Sequence, residues 1–141
     1  MSKAKASKAT KLKTAARWLA AVAFVGAGVN HFLSPDFYLA AMPRGLPWPT
    51  FWNVFTGLAK IAGGIGLLVP RLRRAAAVGL IVMLLGFLWV HVEMVIYPER
   101  SPFGDTPLWI LWARLPFQFV LIAWVWWVGL PSRRKAHSDQ G

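Results

Sequence analysis

The chain has 141 residues, room for one domain at ~150 residues each. Hydrophobic residues make up 57% without counting glycine and charged residues 15%, against roughly 45–50% with glycine and ~25% in soluble domains. That balance excludes a soluble globule of this size, whose wet surface needs more polar groups, and predicts an all-α integral membrane protein. The formal charge is +11 and the cysteine count is zero, so disulfides, thiolate metal sites and cysteine redox pairs are excluded as well.

Four segments approach the roughly 20 apolar residues a spanning helix needs: 15–32, 51–69, 75–97 and 108–130. They predict a four-helix membrane bundle over 15–130, flanked by basic cytoplasmic tails at 1–14 and 131–141. The first span, behind Lys3, Lys5, Lys8, Lys11, Lys13 and Arg17, has the outline of a signal peptide. No small-x-small cleavage site follows it, and it reads as retained. The first outside loop opens on Ser34-Pro35-Asp36, an N-cap, a proline at the first helical position and an acid in the first turn. A short interfacial helix is expected there, from Pro35 to about Ala41. The second span carries Asn53, Thr56 and Lys60 at i, i+3 and i+7, one stripe of a helix. The third carries His91 and Glu93, two apart and so on roughly opposite sides. The fourth carries Arg114 and Gln118 at i, i+4 and is expected to kink at Pro116.

With Arg17 counted in the N-terminal tail, Lys and Arg number twelve on the side of the two tails and the 71–74 turn, and two (Arg44 and Arg100) on the other. The positive-inside rule puts both termini in the cytoplasm. The basic tails then serve topology and anionic lipid rather than nucleic acid, for which no base-reading element is present.

Ionisable groups within a membrane are expensive, about 2.5–3.5 kcal/mol each at a helix centre. Lys60, His91, Glu93, Arg114 and His31, with polar neighbours Asn53, Thr56 and Gln118, fall mostly in the outer half by a rise of ~1.5 Å per residue. They are the candidate ligand-binding residues. Glu93 is expected to pair with Lys60 or Arg114, the only charge compensation on offer. Structural glue between helices is the competing use of these groups. No metal-ligand spacing, phosphate loop or serine nucleophile motif occurs. His31 and His91 as axial haem ligands are set aside, since their depths differ by ~6 Å.

Asn30-His31-Phe32 with Pro35 and Phe37, Met42-Pro43, Leu46-Pro47, the Ala62–Leu68 run, Pro70 with Arg73-Arg74, and Arg114-Leu115-Pro116 with Gln118 together resemble the DoxX family over about residues 17–130. The resemblance implies a four-helix bacterial inner-membrane protein. It also implies an accessory role in a membrane redox system, with a quinone as the ligand and a redox partner subunit. Two positions depart from the family pattern: Lys60 stands where many relatives have an acid, and Glu93 where they often have His or Tyr. Whether the chain is itself an enzyme is left open. Two further readings remain: a non-catalytic assembly subunit, binding a partner or a second copy of itself, and a small proton-coupled exporter using Glu93.

Overall fold

A computed structural model describes residues 3–130. Helix α1 spans Lys3–Leu33, α2 Pro35–Ala40, α3 Pro49–Leu68, α4 Arg73–Ile96 and α5 Leu108–Gly129, with a 3-10 turn at Pro98–Arg100. Among the described residues there is no strand. Four of the helices are long and apolar enough to cross a membrane: Ser7–Leu33, Pro49–Leu68, Arg73–Ile96 and Leu108–Gly129. The predicted spans agree with these within about two residues except at the first. There the helix continues through the basic segment to Lys3, because Ala and Lys are strong helix formers even where hydropathy is low. About 15 Å of α1 lies on the N-terminal side of Lys13. The 131–141 tail lies outside the described residues. Helix α5 runs uninterrupted through Pro116.

The long helices alternate in direction. Helix α1 packs chiefly on α3, α3 on α4 and α4 on α5, while α1 and α5 touch only lightly. Apolar burial cannot drive helices together in lipid, so close packing must. Helix α3 supplies it on two faces. A Cβ on Gly28 would stand 2.6 Å from the Gly57 carbonyl oxygen, and one on Gly64 would stand 2.8 Å from that of Ala21, so α1 and α3 meet backbone to backbone. A Cβ on Gly63 would meet the Leu80 side chain, and one on Gly66 the Ala76 Cβ, on the α4 side. Gly79, by contrast, opens onto empty space. Gly64→Val is therefore expected to lower the melting temperature in detergent by several degrees, a loss of about 1–3 kcal/mol. Gly79→Val should leave it unchanged, and thermal unfolding of the two variants side by side checks this.

The bundle divides along its length. Toward one end, Ala20, Phe24, Leu67, Ala77, Leu80, Leu84, Val125 and Val128 form the buried apolar core. This end also holds Lys13, Arg17 and Arg73, and is called the basic end. Toward the other, the loop end, polar side chains, His31, Asn53, Thr56 and Gln118, are buried beside Met94 and Leu111. Large apolar side chains such as Trp18, Val22, Phe55, Val82, Phe117 and Val120 are exposed around the circumference, where water would be unfavourable and lipid is not.

Candidate functional site

The polar half is organised by one proline. His31 lies in the last turn of α1, and the N–H that would bond its carbonyl belongs to position 35. Pro35 has none, and it also pushes Ser34 out of the helical region (φ −134°, ψ 58°). The chain breaks there and α2 folds back over the end of α1. Ser34 stands at the N-cap position of α2, but its hydroxyl makes no capping bond.

Asn53 on α3 supplies the missing donor. Its Nδ2 donates to the His31 carbonyl at 3.0 Å, and its Oδ1 faces His31 Nδ1 at 2.7 Å. Since the amide nitrogen is committed to the carbonyl, Nδ1 must carry the imidazole proton, which leaves Nε2 a lone pair. Lys60 Nζ donates to that Nε2 at 3.0 Å. Asn53, His31 and Lys60 thus form one chain of hydrogen bonds across α1 and α3. The lysine stem carries its ammonium from mid-helix toward the loop end.

Aromatic rings enclose this chain. Tyr38 of α2 stacks on the His31 imidazole, centroids 3.6 Å apart and planes 19° from parallel. Its hydroxyl accepts from Asn30 Nδ2 at 2.9 Å. The Lys60 ammonium lies 4.9 Å from the Phe87 ring centre and 5.7 Å from that of Tyr38, within cation–π range. Phe37 meets Tyr38 edge-on at 5.4 Å and Phe103 at 5.0 Å. Phe103 is presented by a turn in which its N–H donates to Ser101 Oγ (3.3 Å) and the Thr106 hydroxyl donates to its carbonyl (2.7 Å). Gly104, at φ +62°, completes that turn. The Arg114 guanidinium lies 3.8 Å from the Phe103 ring centre and 3.9 Å from Met94 Sδ. Two membrane cations, Lys60 and Arg114, therefore stand at the two ends of one aromatic ladder.

Glu93 pairs with neither of them, contrary to the sequence expectation. Its Oε1 accepts the Arg44 backbone N–H at 3.3 Å, in a cleft of about 210 Å³ between the first loop and the end of α4. The residue of α4 that faces Arg114 is its neighbour Met94. Among the described residues, the one ion pair is Arg100–Glu99 at 3.6 Å. His91 donates from Nδ1 to the Phe87 carbonyl of its own helix at 2.7 Å. Gln118 donates to the Leu84 carbonyl at 2.6 Å and ties α5 to α4. Thr56 is buried on α3 between Asn53 and Lys60. The structure therefore brings His31, Asn53 and Lys60 together and sets Arg114 across the ladder, while His91, Glu93 and Gln118 are engaged elsewhere. Among the described residues no group of three or more His, Asp or Glu is placed to hold a metal.

Tyr38, Phe87 and Phe103 are not among the candidate site residues that the sequence points to. Tyr38 had one signal: a helix joined to α1 through a single residue must lie over the end of α1. For Phe87 and Phe103 no local pattern distinguishes a ring that faces a cation from one that faces lipid.

Gln118→Leu separates glue from site. It should cost about 0.6–1.7 kcal/mol of stability, the range for interhelical hydrogen bonds in membranes. It should leave any ligand bound at Lys60 and Arg114 in place. Thermal unfolding and ligand titration of the same preparation test both halves.

A helical bundle of this kind, with an apolar circumference and buried polar groups in one half, defines a multi-pass membrane protein. The chain belongs to the family described as a domain of unknown function (DUF8561), which matches residues 19–129, from the apolar part of α1 to the end of α5. No curated protein matches the chain, and no solved structure matches it.

Proposed function

We propose that this protein lies in the bacterial inner membrane with both termini in the cytoplasm. There it binds a quinone-type ligand in the outer half of the bilayer, as an accessory subunit of a membrane redox system. The twelve-to-two distribution of Lys and Arg supports the orientation. The resemblance to the DoxX family supports the redox setting.

One observation carries the ligand site. Lys60 and Arg114 are intramembrane cations with no carboxylate within 4.0 Å among the described residues, and each lies against aromatic rings. Groups so costly to keep in a bilayer are accounted for when a ligand oxygen uses them. The donor set fits a quinone head: ammonium and guanidinium N–H groups for its carbonyl oxygens, and ring faces for its plane. A bound quinone would supply the electron- and proton-accepting chemistry. The chain would bind and orient it, with His31 held in one tautomer by Asn53 and so fixing where Lys60 points.

The test is titration with a short-chain benzoquinone, followed by tryptophan fluorescence and thermal shift. Saturable binding is expected in the wild type. In Arg114→Leu it should weaken about 10-fold or more, as for loss of a hydrogen bond to a charged group. No saturable binding to the wild type would reject the site. The assembly reading would then stand, favoured by the Asn53–His31 and Gln118–Leu84 bonds, which join helices whether or not a ligand is present. The exporter reading gains nothing from Glu93, which is bonded to a loop N–H.

A further inference from the structure

At the basic end the last turns of α3 and α5 meet the start of α4, and basic side chains satisfy the last carbonyls of α3 and α5. Helix α5 stops at Gly129 and α3 at Leu68, so their final carbonyls lack intrahelical donors. Arg17 Nε donates to the Val128 carbonyl at 3.0 Å, and Lys13 Nζ to that of Leu130 at 2.8 Å. Arg73 Nε donates to the Leu67 carbonyl at 3.0 Å. These three bonds belong to one cluster: Gly129, between the two capped residues of α5, packs against Ala77 and the Arg73 carbonyl of α4.

Capping uses only part of each cation. Both arginines are held through Nε alone, and among the described residues no acceptor engages their Nη groups. Each guanidinium is thus fixed in place, with its two-nitrogen edge unused among the described residues, and that edge matches a phosphate fork to fork. Among the described residues no acid balances them. Asp36, Glu93, Glu99 and Asp105, all the carboxylates among the described residues, lie in or beside the loops at the other end. The surroundings are apolar: Trp18, next to Arg17, is 57% exposed, and Leu72, next to Arg73, is 55% exposed. Trp126, four residues before Leu130 and so on the same side of the helix end, is 55% exposed. Lys13 and Arg17 also bridge α1 to α5, two long helices that otherwise touch only lightly.

From this arrangement we infer a binding site for the phosphodiester headgroup of an anionic phospholipid, formed by Arg17, Arg73 and Lys13 across α1, α4 and α5, with the acyl chains lying along Trp18 and Trp126. Basic pockets between membrane helices recognise such headgroups. The apolar flanks distinguish a lipid from a free phosphate. The site lies at the opposite end of the bundle from Lys60 and Arg114 and does not depend on their role.

Native mass spectrometry of the full chain in mild detergent tests this. Phosphatidylglycerol and phosphatidylcholine of identical acyl chains would be offered together, with inorganic phosphate in a separate arm. Retention of phosphatidylglycerol is expected at about 10-fold or more over phosphatidylcholine. That preference should vanish in the Arg17→Gln/Arg73→Gln double variant, whose glutamines can still donate to the capped carbonyls. It should survive Arg44→Gln/Arg100→Gln at the other end. Equal retention of the two lipids would overturn the site, as would loss of the preference in the loop-end variant. Displacement of the lipid by millimolar inorganic phosphate would assign the cluster to a free anion and overturn the lipid claim. Should the double variant fail to fold, wild-type headgroup selectivity and phosphate competition decide the matter without it.

Discussion

Replacing Lys60 with methionine is expected to weaken ligand binding by 10-fold or more while leaving stability within about 1 kcal/mol of the wild type. The separation follows from what the ammonium has and lacks. It donates to His31 Nε2 and lies near two rings, but no carboxylate stands within 4.0 Å among the described residues. A lysine at a helix centre costs about 2.5–3.5 kcal/mol to insert. One interhelical hydrogen bond returns about 0.6 kcal/mol, and a desolvated cation–π contact returns up to about 2 kcal/mol. Methionine keeps the length and apolar stem, removes the charge, and leaves His31 Nε2 without a donor, at about 1 kcal/mol. These effects nearly cancel for the empty protein, but they do not cancel for a ligand that needs the cation. Thermal unfolding and benzoquinone titration of one preparation read both. If stability falls by several kcal/mol while binding persists, Lys60 is a strut between α1 and α3, and the ligand site is wrong.

The two halves of the molecule were not equally legible in the sequence. Spanning segments are long, and their signal is summed over some 20 residues, so α3, α4 and α5 agree closely with their predicted limits. The Asn53–Thr56–Lys60 stripe was legible for the same reason, since periodicity alone places the three on one face of α3. The start of α1 was not, because hydropathy falls at Lys13 while helix propensity does not. Partners across the bundle were not legible either. Charge complementarity pointed Glu93 at Lys60 or Arg114, on the premise that three groups of similar depth share one space. Each instead follows its own helix: the Lys60 stem runs along α3 to the end of α1, Arg114 turns to the second loop, and Glu93 meets the first loop at Arg44. That His31 would be the hub was hidden in the consequence of Pro35. A helix carbonyl whose i+4 residue is proline needs a donor from elsewhere, and Asn53 is the donor that packing places there.

That relation carries the largest expected effect on stability. Asn53→Leu should destabilise the protein by about 2–4 kcal/mol, because one substitution leaves two buried groups unpaired: the His31 carbonyl and the His31 Nδ1 proton. Leucine keeps the branched outline and heavy-atom count of asparagine, but its methyl groups are bulkier, so a smaller steric cost adds to the polar loss. An imidazole freed from Asn53 no longer fixes its tautomer or its ring plane. The Tyr38 stack and the Lys60 bond should then loosen together, and ligand binding should fall with stability, unlike the pattern expected for Lys60→Met. Pro35 supplies the control. Pro35→Ala returns an N–H at position 35, which can reach the His31 carbonyl as α1 extends by a turn. In that background the cost of Asn53→Leu should shrink by about 1 kcal/mol, the worth of one hydrogen bond. A double-mutant cycle in detergent, read by thermal unfolding, measures that coupling directly. Strict additivity would mean that Asn53 holds the bundle through its packing and its bond to His31 Nδ1 and not through the carbonyl that Pro35 leaves unpaired.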